Sequence, residues 1–319
     1  MTRARSLPLL AVAVTLVLWA SAFVAIRDLA DEVRPGSLAL GRLAVGALCL
    51  GLVALRRRPV LVRPARQDWW RLIVIGVLCL GLVALRRRPV LVRPARQDWW
   101  RLIVIGVLWY ALYMVALNAG ERRIDAGTSA MLIQLSPILI AVLAAVFLGE
   151  RFTRWIVLGL ALAFAGVVVI SLGSGGDSGH DVLGVLLCLV SAVAYAISLI
   201  LQKPLMSRLA SVQVTWLACT IGAVVCLPFA GQLVADLRAA PLSATLWVIY
   251  LGVFPTAIAF TTYGYALSHM SASSLGITTY LVPVITVLLA WGWLGETPPA
   301  LAYVGGALAL LGVAVSRRR

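Results

Sequence analysis

Apolar residues run along this chain in long blocks separated by short polar stretches, without the two-residue alternation of half-buried strands. Ten blocks are near the ~20 residues that carry a helix across a ~30 Å hydrocarbon core. They cover 9–26, 36–55, 102–120, 126–148, 155–172, 182–201, 212–229, 242–267, 272–294 and 300–315. Helix is the element they predict, because lipid leaves turns and open strands with unsatisfied backbone groups. A β-barrel would show alternation in ~10-residue strands, and none is present. The first block follows Arg3 and Arg5, as a signal peptide would. Its exit, Ile26-Arg27-Asp28-Leu29, lacks a small-x-small cleavage site, so it reads as a retained first helix.

Composition agrees with the pattern. The chain is 62% hydrophobic and 12% charged, with mean hydropathy +1.01, against about 25% charged residues in soluble domains. The net charge of +15 invites a nucleic-acid reading, which its distribution rejects. With the N-terminus in the cytoplasm and the loops alternating, 21 of the 27 basic residues fall inside. The outer side takes nine of the twelve carboxylates and only Arg27, Arg34, Arg122, Arg123 and Arg238. That is the positive-inside rule, with the basic loops lying against anionic headgroups. Both termini are expected in the cytoplasm, and the chain in the inner membrane.

Two repeats are present. Residues 49–78 recur letter for letter as 79–108, a tandem copy with no divergence. Its junction joins Leu72 to Leu85 in a 14-residue apolar run, about 21 Å as a helix and short of a crossing. Arg63, Arg66 and Arg71 precede this run and Arg86 to Arg88 follow it. The junction is therefore expected to be a re-entrant or interfacial segment with both ends cytoplasmic; a full crossing would invert every later helix. The older repeat is diffuse. A shift of 146 lays Pro137 on Pro283, Gly149-Glu150 on Gly295-Glu296, Gly159 on Gly305 and Gly166 on Gly312. A shift of 176 lays Trp19 on Tyr195 and Arg27 on Lys203. Each half then holds five helices, and an odd number turns the second half upside down. The expected fold is all-α integral membrane, ten transmembrane helices as two inverted five-helix repeats (1–173 and 182–319, linker 174–181). Secondary transporters use this symmetry, placing substrate near the midplane.

Several stretches resemble a known family: WASAF at Trp19 to Phe23, Arg42 within the second helix, NAGERRIDAGTSAM from Asn118 to Met131, and the paired P…LGE motifs. They are similar to the EamA-type transporters of the drug/metabolite transporter superfamily, over nearly the whole chain. Removing one 30-residue copy leaves 289 residues, which suits a ten-helix member. The resemblance implies a secondary transporter, exporting amino acids, other metabolites or toxic compounds. The duplicated region is the departure from the family pattern.

The polar residues inside the spans suggest a site. Pro137 and Pro283 fall mid-span, where each would free the carbonyl four residues earlier, Ile133 or Thr279. Gln134, Ser136 and Tyr280 lie next to those breaks. Trp19, Ser21, Tyr110, Tyr113, Tyr195, Ser198, Thr262 and Tyr263 would complete an aromatic cavity with hydroxyl and amide handles, suited to a small amphipathic substrate. Helix-to-helix hydrogen bonds and interfacial anchoring are the other uses of such residues. Arg42 lies six residues into its helix and either meets a substrate carboxylate, forms a structural pair or snorkels to the headgroups. Glu150 and Glu296 end their helices, as proton-linked gates or as interfacial ion pairs, Glu150 with Arg151 or Arg154.

Other chemistry finds no residues. His180 and His269 are far apart in sequence, and the five cysteines, Cys49, Cys79, Cys188, Cys219 and Cys226, make no metal-ligand spacing and read as small hydrophobes. The Gly-rich run 171–179 lacks a P-loop lysine. No metal, cofactor or direct use of ATP is expected. The expected partners are a small-molecule substrate and the lipid bilayer, with a homodimer open. A membrane lipid enzyme would need paired carboxylates or a nucleophile at depth, and a non-transporting scaffold would need no polar cavity.

Overall fold

The computed structural model describes residues 3–29, 32–55, 94–123, 132–151, 153–173, 182–294 and 300–316. Among the described residues every regular element is a helix: α1 (Arg3–Asp28), α2 (Pro35–Leu55), α3 (Arg96–Glu121), α4 (Ser136–Leu148), α5 (Arg154–Gly173), α6 (Val182–Leu205), α7 (Ser211–Val225), α8 (Ala230–Ala239), α9 (Leu242–His269), α10 (Ala272–Thr278), α11 (Leu281–Leu294) and α12 (Ala300–Ser316). Five of them are long and apolar enough to cross a bilayer alone: α1, α2, α3, α6 and α9. The chain is a multi-pass membrane protein.

Three expected spans are interrupted, each at a proline. The span expected over 212–229 stops at Val225; a 3-10 turn at Leu227–Phe229 follows, and α8 leaves at 54°. Pro228 has no N–H to continue the ladder. Arg34 ties α8 to the α1–α2 turn, its guanidinium 2.8 Å from the Asp236 carboxylate. The spans expected over 126–148 and 272–294 turn at Gln134–Leu135 and Thr279–Tyr280, then restart as α4 and α11. Pro137 and Pro283 therefore sit in the first turn of a new helix rather than mid-helix, where a missing N–H leaves no bond unmade. The Thr279 carbonyl accepts from Gln134 Nε2 at 3.3 Å, so one break supports the other.

Small residues bring the helices together, as apolar interfaces in lipid require. A Cβ at Gly159 would come within 2.7 Å of the Gly312 carbonyl, and one at Gly166 within 2.5 Å of the Gly305 carbonyl. As α5 advances from 159 to 166, α12 recedes from 312 to 305, so the two run antiparallel in backbone contact. A second set sits on α2, α3, α7 and α9. Gly46 approaches the Gly252 carbonyl and Thr256, while Gly222 approaches the Gly106 carbonyl and Tyr110. Both α3 and α9 loosen into a π-helical stretch there, Gly106–Leu112 and Gly252–Ile258.

The end of α2, inside the first copy, and the start of α3, inside the second, lie on one face, the face where α1 begins. Near the end of α2, Leu50 and Cys49 pack with Val212 and Trp216 at the start of α7. At the start of α3, Asp98 is buried and meets Arg208, three residues before α7, at 3.3 Å. The expectation that both ends of the inserted stretch share a face requires this arrangement; the junction 72–85 itself lies outside the described residues.

Candidate substrate-binding cleft

A cleft of about 680 Å³, open mouth included, enters the bundle. Its polar lining is Arg42, Gln134, Ser136 and Thr279; its aromatic lining is Trp19, Phe23, Trp109, Tyr113, Tyr195 and Phe260. Trp19 and Phe23 stand one turn apart on α1, as do Trp109 and Tyr113 on α3, so each helix presents an aromatic ladder to the same space.

The floor is closed by rings. Trp109 lies 5.0 Å from Tyr195 and 5.0 Å, edge-on, from Phe260. Trp19 lies 4.8 Å from Tyr263, whose hydroxyl meets that of Tyr195 at 2.6 Å. Towards the face where α1 begins, Thr15 and Thr262 pair at 2.8 Å, sealing the next layer. In the other direction the lining continues through Ile26, Arg42 and Leu117 towards the face where α1 ends.

Arg42 is 6% exposed. Its Nε donates to Thr256 Oγ1 at 3.1 Å in the π-helical stretch of α9, and that hydroxyl donates to the carbonyl of Leu251, just before the stretch, at 2.8 Å. One side of the guanidinium is thus anchored while the group lines the cleft, with Glu121 and Tyr113 in electrostatic reach. An intramembrane cation is costly, about 2.5–3.5 kcal/mol on insertion scales, so an anionic guest gains from meeting it.

Of the residues singled out in the sequence, Trp19, Arg42, Tyr113, Gln134, Ser136 and Tyr195 line the cleft. The others lie elsewhere. Ser21 bonds the Tyr250 hydroxyl at 2.7 Å, joining α1 to α9. Tyr110 is buried against Phe260 and Gly222, and Tyr263 backs the floor. Thr262 is engaged by Thr15, and Ser198 is wholly buried. Tyr280, 0% exposed, packs among Ala141, Ile156 and Val313 rather than in the cleft. Glu150 makes no ion pair with Arg151 or Arg154; it accepts from the Ala272 and Ser273 amides at 2.7 and 3.0 Å. Glu296 lies outside the described residues. Phe23, Trp109 and Phe260 went unremarked in the sequence, although the i,i+4 aromatic pairs 19/23 and 109/113 are a signal that would have found the first two.

Comparison with known proteins places this cleft in context. The EamA-like transporter family model matches residues 69–172 and 182–318. The chain belongs to this family. It is a transporter, not an enzyme. A probable terminal-alkyne amino-acid exporter of Streptantibioticus cattleyicolor is 35% identical over 309 residues, covering 97% of this chain and 93% of that one. The uncharacterized transporter YdfC of Bacillus subtilis is 28% identical, covering 93% and 86%. The pseudopaline exporter CntI of Pseudomonas aeruginosa is 29% identical over 66% of this chain and 72% of its own. One solved crystal structure superposes with a TM-score of 0.70 at 21% identity, covering 99% of this chain and 97% of that one, which shows a shared fold.

Proposed function

We propose that the chain is a secondary transporter that exports small amphipathic metabolites bearing a carboxylate, amino acids above all, across the inner membrane by alternating access. The observation that carries this reading is Arg42, an anchored guanidinium lining an otherwise aromatic cleft. A carboxylate pairs with such a fork in two parallel hydrogen bonds, while the rings take an apolar side chain. Two relatives are named as exporters, one of them of amino acids.

The architecture proposed with this function is ten spans in two inverted halves, 1–173 and 182–319, joined by 174–181. Support comes from paired contacts. The shift of 146 maps Gly159 onto Gly305 and Gly166 onto Gly312, so the contact 159–312 maps onto 305–166. The same shift carries the π-helical stretch 106–112 onto 252–258, and the shift of 176 carries Gly46 onto Gly222. Contacts that exchange in this way are what a pseudo-two-fold axis generates. With the basic face cytoplasmic, both termini are inside and the cleft extends outward from its floor.

Flux of a labelled amino-acid panel into proteoliposomes tests the reading. Saturable uptake is expected for at least one apolar amino acid. Arg42→Met should reduce kcat/KM at least about tenfold, the loss of one charge-assisted pair. Decarboxylated amine analogues should not compete. An equal rate for Arg42→Met refutes the carboxylate role, and absence of saturable flux across the panel refutes the amino-acid assignment.

A further inference from the structure

Two charged side chains bind opposite ends of one turn beneath the floor of the cleft. Helix α9 ends at His269 and α10 starts at Ala272, with only Met270 and Ser271 between them. A helix end leaves carbonyls unsatisfied and a helix start leaves N–H groups unsatisfied, with negative and positive dipole ends respectively. Lys203, near the end of α6, donates its Nζ to the Leu267 carbonyl at 2.5 Å and to the Met270 carbonyl. Glu150, just past α4, accepts from Ala272 N at 2.7 Å, Ser273 N at 3.0 Å and Ser273 Oγ at 2.6 Å. Each charge has the sign its helix end favours.

The position of Glu150 is itself prescribed. Gly149 adopts φ 65°, the left-handed conformation that closes a helix, and Glu150 N then bonds back to the Ala144 carbonyl at 3.2 Å. This turn carries the carboxylate away from α4 and onto α10. The floor lies directly above: Tyr263 is one turn before Leu267 on α9, and its partner Tyr195 is two turns before Lys203 on α6. For the cleft to open at this face, the end of α9 has to part from α6 and the start of α10 from α4. The polar part of both separations is hydrogen bonds to main chain and a hydroxyl, which water replaces; the apolar part is side-chain packing such as Ile140 against Gly276 and Met206 against Gly264. By contrast, α5 and α12 are in glycine-to-backbone contact that has no such exchange.

We propose that Glu150 and Lys203 are the latch of this face: they hold the α9–α10 turn closed beneath the bound substrate and release it once per transport cycle. The latch serves the alternating-access reading above and is a positioning device, since neither side chain lines the cleft.

The test reads accessibility, not flux. Ser198, fully buried between Tyr195 and Lys203, is replaced by cysteine, and a membrane-impermeant maleimide is applied to each side of the membrane in turn. Labelling is scored above that of the chain without the new cysteine. Glu150→Gln and Lys203→Met should each speed labelling from the latch face about tenfold, the scale of a lost charge-assisted cap. Glu150→Asp should stay within about threefold of the parent, because a carboxylate keeps the charge. Asp98→Asn, which breaks the nearby Arg208 pair without touching the turn, should label at the parental rate. Unchanged labelling in both latch variants overturns the proposal, and so does equal acceleration in Asp98→Asn, which would signify general loosening. A missing substrate would silence the flux assay and leave these labelling rates as they are, so the two failures are separable.

Discussion

Gln134 shows how one side chain serves both stability and access to substrate. Pro283 cannot return a hydrogen bond to the Thr279 carbonyl, which accepts instead from Val282 N at 2.9 Å in the turn. The Gln134 amide adds a second donor at 3.3 Å while its residue lines the cleft. Gln134→Leu keeps the volume and removes this donor between the two breaks, leaving Val282 N as the carbonyl's partner. The expected loss is about 0.5–1.5 kcal/mol, seen as a melting temperature a few degrees lower for the purified protein in detergent. No loss in Gln134→Leu would mean that the bond between the two breaks contributes nothing to stability. At this scale the sequence showed the polar handles but not their direction. Gln134 and Tyr280 are equivalent under the shift of 146, yet Gln134 lines the cleft and Tyr280 packs with α5 and α12. Identical spacing along two helices cannot disclose which face each turns inward, and a fully apolar helix carries no polar stripe to mark it.

At the scale of elements, glycine spacing decides which helices touch. Gly159, Gly166, Gly305 and Gly312 let the backbones of α5 and α12 meet, and a side chain at Gly312 would lie 2.4 Å from Ala163 N. Gly312→Val therefore has to push the helices apart along their whole contact. The predicted cost is about 2–4 kcal/mol, with the melting temperature falling accordingly, whereas Gly231→Val, where a Cβ meets nothing within 4 Å, should change it little. Helix identity was readable from block length alone, since lipid admits no other open structure. Breaks were less readable. Proline marked each of them, but a proline inside a helix and one opening a new helix look alike in sequence, and only the turns at Gln134–Leu135 and Thr279–Tyr280 distinguish them. The π-helical stretches had no sequence signal beyond Gly106, Gly252 and Pro255, yet the second provides Thr256, the anchor of Arg42.

At the scale of the whole molecule, the tandem copy poses a topological question that deletion answers. Helix α2 continues into the first copy as far as Leu55, and α3 starts at Arg96 inside the second. Those helix ends lie on one face, held by Leu50 against Val212 and by Asp98 against Arg208. Because the copies are identical, excising any one repeat unit restores the same junction: Leu55 is followed by Arg-Arg-Arg-Pro whether it is read at 56–59 or at 86–89. A chain lacking 79–108 thus keeps every residue that α2, α3 and their partners use. Its connection shortens, and closing a shorter loop is entropically easier by only about 0.6 kcal/mol per halving of length. The prediction is a shortened protein with the same flux per molecule, a melting temperature within a few degrees of the parent, and unchanged sidedness of a tag at each terminus. If the termini of the parent fall on opposite sides of the membrane while those of the shortened chain share one, the inserted stretch crosses. The bundle would then have to hold α3 to α12 in one orientation against the basic loops and α1 to α2 in the other, an arrangement that the Asp98–Arg208 and Leu50–Val212 contacts at a single face oppose.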